Sequence, residues 1–209
     1  MTDAERDAER ERQFADRARS RAIHERDRDL PLRVLVLTEA LPLSEVTGFR
    51  MVSALANRAS ELRVTVAAGT AEEAEVAALT SKGVEVVVGP DPAWIADRSM
   101  HATVLVVLGP AAAARFASVA LDRQPQAAVV YDPSGPTLED HLAARAAEAP
   151  IVRAADVVLA PVRGYEAFVK ALAPRAVTVP SAPGTPDLDR SLAQALATCG
   201  VALPDAAFA

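Results

Sequence analysis

Seven short runs rich in valine, leucine and alanine recur along the chain, and helical stretches lie between most of them. The runs are Arg33–Thr38, Leu62–Ala68, Val84–Val88, Thr103–Leu108, Ala127–Tyr131, Asp156–Ala160 and Ala176–Val179. Their apolar residues are continuous, not alternating, as in strands buried on both faces of a parallel sheet. Helices are expected at Ser44–Ser60, Ala71–Lys82, Pro110–Leu121, Thr137–Ala154 and Val162–Leu172. Pro92–Met100, which carries Trp94, reads as a short helix or a loop. A last helix, Asp187–Thr198, is stopped by Gly200 and follows a Pro/Gly/Ser-rich linker, Pro180–Pro186. The alternation predicts βα units with right-handed crossovers, hence an α/β fold with a single open parallel sheet of about seven strands flanked by helices.

Composition narrows the class further. The one cysteine, Cys199, excludes a disulfide-stapled scaffold and makes a reducing compartment the default. No apolar stretch is long enough to span a bilayer and no signal-peptide pattern is present, so a soluble, cytoplasmic protein is expected. A net charge of −6 argues against a general nucleic-acid binder. Charge is concentrated at the start: residues 1–29 hold eight arginines and nine acids. Acid-to-arginine pairs such as Asp3–Arg6 and Asp16–Arg19 suit an exposed helix, so this segment reads as a charged helical or partly frayed arm that is either solvated or docked on a partner.

In a sheet of this kind ligands bind beyond the carboxyl ends of the strands, so the loops that follow each strand carry the chemistry. Neither G-x-G-x-x-G nor G-x-x-x-x-G-K-[ST] is present, and there is no nucleophile elbow or H-E-x-x-H. The three histidines, His24, His101 and His141, lie far apart, so no metal site is expected, and no cofactor is implied. Two loops stand out. In the first, Thr38 to Arg50, Gly48 permits close backbone approach while Arg50 and the following helix N-terminus favour an anion such as a phosphate; the alternative is a plain turn with a solvated arginine. In the second, Val130 to Glu139, Asp132 sits at a strand's carboxyl end, where a carboxylate orients a sugar hydroxyl or acts as a base. Tyr131 and Ser134 flank it as binding candidates. Asp-Pro and Gly-Pro also make good turns, so a structural role for Asp132 stays open.

In combination these segments resemble a known group. Arg33–Thr38, the loop to Gly48-Phe-Arg50, the helix ending Ala54-Leu-Ala-Asn-Arg58 and the strand Leu62–Ala67 resemble the opening of glycosyltransferases with the GT-B fold, especially bacterial family 4-like enzymes. Tyr131-Asp-Pro133 with Leu138-Glu139 resembles the Y-D-P…L-E segment of one bacterial branch. Ala154–Ala160 and Val177–Gly184 resemble the later "aD.vi.vs" strand and the "v.vipNG" strand end. The likeness covers roughly residues 32–184.

The resemblance implies a Rossmann-like domain over 30–184, followed by a linker and C-terminal helix over 185–209. It implies the acceptor-side half of a transferase, with the half that holds the nucleotide-sugar supplied elsewhere. Gly48 and Arg50 would then lie at the diphosphate or acceptor edge, and Asp132 near the transferred sugar or acceptor hydroxyl. The implied partners are a nucleotide-sugar, an acceptor and either a separate subunit or a second copy meeting the 1–29 arm. Two other classes remain: a non-catalytic interaction or regulatory module that retains the fold, and another small α/β enzyme or ligand-binding domain.

Overall fold

The computed structural model describes residues 32–42, 62–122, 127–133, 138–160, 164–181 and 188–200. The expected arm at 1–29, the helix at 44–60 and the loop residues Gly48, Arg50 and Ser134 lie outside them. All seven predicted strands form: β1 (Leu32–Leu41), β2 (Leu62–Ala71), β3 (Glu85–Val88), β4 (Val104–Leu108), β5 (Ala128–Asp132), β6 (Val157–Ala160) and β7 (Val177–Pro180). They make one open, all-parallel sheet in the order β3-β2-β1-β4-β5-β6-β7. The chain enters at the middle, winds outward to one edge, crosses back over β1, and then winds to the other edge. The strand order therefore reverses between β1 and β4.

The described helices are α1 (Glu73–Ser81), α2 (Pro92–His101), α3 (Gly109–Leu121), α4 (Leu138–Ala154), α5 (Tyr165–Leu172) and α6 (Leu188–Thr198). Successive strand residues point to opposite faces, and the buried residues divide accordingly. On one face Val34, Val36, Val64, Val106, Val130 and Leu159 pack with Leu79 of α1, Ala195 of α6 and Cys199 just beyond it. On the other, Leu35, Leu37, Leu105, Val107, Val129 and Val158 pack with residues of α2, α3, α4 and α5. Every residue of β4 and β5 is buried, which is why their sequences are unbroken apolar runs. Alanines on α3 (Ala112, Ala113, Ala117 and Ala120), with Phe116 between them, let that helix lie close against the sheet.

Three departures from the sequence reading have physical causes. β1 and β2 each run three residues beyond their predicted ends at Thr38 and Ala68, because Ala40 pairs with Thr70 and Leu41 with Ala71. Pairing thus claims Ala71, which the sequence placed in a helix. Pro92–His101 is a helix, capped by Asp91, whose Oδ1 accepts from the Trp94 N–H at 2.8 Å, with proline in its first turn. Finally, α3 begins at Gly109, directly after β4. That abrupt strand-to-helix turn uses a φ of +82°, which glycine tolerates and other residues rarely adopt.

Asp156, in the segment that resembles "aD.vi.vs", belongs to the amino end of the sheet. Its buried carboxylate accepts from the Val129 N–H at 2.9 Å, its own N–H donates to the Val129 carbonyl at 2.8 Å, and its carbonyl accepts from the Val177 N–H at 2.9 Å. It ties β5, β6 and β7 together where they start. Asp156→Ala is expected to lower stability by about 1–3 kcal/mol, because a buried N–H loses its acceptor. Chemical denaturation checks this, and Asp156→Asn, which keeps an acceptor oxygen, should recover part of the loss.

Candidate functional site

A ligand site in an open parallel sheet is expected in the crevice where the strand order reverses, outside the carboxyl ends of the strands. Here that place is the end of β1 beside β4. Thr38 on β1 is in register with Ala68 on β2 and with Leu108 on β4, which is in register with Asp132 on β5. Adjacent strands lie about 4.8 Å apart, so Thr38 and Asp132 are roughly 10 Å from each other along one row of the sheet. Both are buried, and the Thr38 hydroxyl donates to the Ala40 carbonyl at 3.2 Å. Asp132, the candidate catalytic carboxylate, is fully enclosed, at 0% exposure.

Tyr131 points to the opposite face from Asp132, where it is also fully buried. Its hydroxyl donates to Oε1 of Glu148 on α4 at 2.8 Å. Tyr165, the first residue of α5, is buried in the same layer and meets Phe168 edge-on, with ring centroids 5.4 Å apart. Burial is the main reason both phenols are held far above the usual tyrosine range, and the Glu148 charge adds to it. The Asp132 charge acts on both phenols in the same direction. Glu148 and the two phenols thus form a sealed polar layer on that face, just below the ends of β5 and β6 and within reach of the Asp132 charge. Tyr131 belongs to that layer.

The sequence did not single out the polar pair at the carboxyl end of β1. Oε1 of Glu39, one residue past Thr38, accepts from Nη1 of Arg115 on α3 at 2.9 Å; both side chains are a little over two-fifths exposed. Gly69 on β2 makes room for them. A Cβ there would lie 2.5 Å from Arg115 Nη1 and 2.7 Å from the Glu39 carbonyl oxygen, so any side chain would force the two strand ends apart. The available signals were weak: Arg115 is a lone charge after the run Ala111–Ala114, and Glu39 is the first charge after an apolar strand. Glu148 had a similar one, as an acid within the alanine-rich stretch Ala143–Ala149.

Trp94 is half-buried against the core, with the Arg98 guanidinium 5.4 Å from its ring centroid. Cys199 is buried, its Sγ 3.9 Å from the Asp156 carbonyl. Among the described residues no group of three or more His, Cys, Asp or Glu side chains is placed to hold a metal ion. Nor is any described helix long and apolar enough to cross a membrane.

Fold and site together define a doubly wound, Rossmann-like α/β protein with its switch point between β1 and β4. No family model matches the chain, and no curated protein matches it in sequence.

Proposed function

We propose that the chain is the acceptor-side half of a GT-B-type glycosyltransferase, acting with a domain that holds the nucleotide-sugar. The observation that carries this reading is the convergence of Thr38, the Glu39–Arg115 pair and Asp132 on the carboxyl ends of the strands around one switch point. In this reading the crevice holds an acceptor hydroxyl. Arg115 and Glu39 offer a donor and an acceptor for hydrogen bonds to a polyol, and Asp132 supplies the carboxylate beneath them. In the transfer itself, the bond from the sugar's anomeric carbon to the nucleotide diphosphate breaks and a new bond to the acceptor oxygen forms. The proton leaves the acceptor hydroxyl for a base.

Asp132→Ala and Arg50→Ala test the assignment, Arg50 being the sequence-derived candidate outside the described residues. Each is expected to weaken acceptor binding, or transfer by the assembled protein, at least about tenfold, the scale of one lost charge-assisted hydrogen bond. Unchanged binding and transfer in both variants would overturn it.

One observation favours a second reading, a non-catalytic interaction module that retains the fold: Asp132 is wholly buried. That reading predicts complex formation that does not depend on nucleotide-sugar.

A further inference from the structure

We propose that the opposite, amino end of the sheet carries a binding site for a small phosphomonoester, built around Arg33 and Arg63. A cleft of about 280 Å³ opens there between the starts of β1–β3 and the last turn of α2, and Arg33, Arg63, Thr65, Glu85, Arg98 and His101 line it. Arg33 and Arg63 are register partners on adjacent parallel strands. Arg33 stands two residues before Leu35 and Arg63 four residues before Ala67, both members of the same apolar cluster, so both leave the same sheet face.

Like charges directly opposite one another on neighbouring strands repel. This pair has no compensation within the described residues, since neither arginine has a carboxylate within ion-pair distance there. The one acid among the described lining residues, Glu85, is already engaged: its Oε2 accepts from the Thr65 hydroxyl at 2.8 Å and its Oε1 from Arg98 Nη2 at 3.3 Å. His101 lies 3.9 Å from Asp97, which is outside the lining. Among the described residues the cleft is therefore a local excess of positive charge, on a chain whose net charge is −6.

Arg98 and His101 have another explanation, because they occupy the last turn of α2, where cations complement the negative end of the helix dipole. Arg33 and Arg63 are on strands, and no end of a described helix accounts for them. Two guanidinium forks side by side match a doubly charged tetrahedral anion, which each can meet through paired N–H groups. A cleft below the roughly 300–1,000 Å³ of drug-sized pockets selects a small ligand. The site faces away from the β1/β4 crevice and stands independently of the reading given to that crevice.

Calorimetric titration of the full chain at low ionic strength, with inorganic phosphate and with ribose 5-phosphate as probes, tests this. Saturable one-to-one binding of both is expected. Arg33→Ala and Arg63→Ala should each weaken it at least about tenfold, the scale of one lost charge-assisted contact. Arg63→Lys, which keeps the charge and loses the fork, should fall between. Arg63 is exposed. Without phosphate, Arg63→Ala should melt no lower than the parent chain, and phosphate should raise the parent's melting temperature but not the variant's. Absence of saturable binding to either probe, or binding unchanged in folded Arg63→Ala, would overturn the proposal.

Discussion

Replacing Tyr131 with alanine is expected to lower stability by about 3–5 kcal/mol, the range for removing a large aromatic side chain from a core. Tyr131 is among the largest fully buried side chains, on a strand whose residues are all buried. Its loss leaves a void between β5 and the helices that cover that face, and removes the donor that Glu148 Oε1 meets at 2.8 Å. Tyr131→Phe separates the two effects. It keeps the ring and deletes the hydroxyl, so about 1–3 kcal/mol is expected, the cost of withdrawing a partner from a buried polar group. Urea denaturation of both variants measures the difference. If Phe cost as much as Ala, the packing argument would fail; if Phe cost nothing, the hydrogen bond to Glu148 would be energetically idle.

Alkaline pH should unfold the protein cooperatively, with both tyrosines ionising only as it unfolds. The chain has two tyrosines, Tyr131 and Tyr165, and both are fully buried. Both are raised well above the ordinary value near 10, chiefly by burial and then by the Glu148 charge. A raised folded-state value means that the native form holds its phenolic protons after the unfolded form has begun to release them. The stabilisation is thus complete below about pH 10 and is lost as pH rises above it, by up to about 1.4 kcal/mol per pH unit for each tyrosine. Tyrosinate absorbance and far-ultraviolet circular dichroism should change together in one steep transition. Tyrosinate forming near pH 10 with the dichroism intact would show that at least one phenol is open to solvent in the native state.

The seven strands were legible because a parallel sheet covered on both faces leaves a plain mark, a short unbroken apolar run. Their ends were less legible. Glu39–Leu41 and Gly69–Ala71 contain charged, small and polar residues, and only pairing between β1 and β2 makes them strand. Asp91-Pro92 did carry a recognisable helix start, but the segment between strands was short enough to read as a loop. The strand order had no local signature, and so neither did the switch point. Asp132 could be placed at a strand end from one loop. The Glu39–Arg115 pair joins residues 76 apart in the chain and becomes visible only after β1 and α3 are packed together. Likewise, Arg33 and Arg63 face one another only through the register of two strands.

Calorimetric titration of the chain, in one series with carbohydrate acceptors and nucleotide-sugars, tests the acceptor-side assignment most directly. Saturable binding of an acceptor is expected, weakening at least about tenfold in Asp132→Asn, on the scale of one charge-assisted hydrogen bond, with no saturable binding of any nucleotide-sugar by this chain alone. Saturable nucleotide-sugar binding without acceptor binding would contradict it.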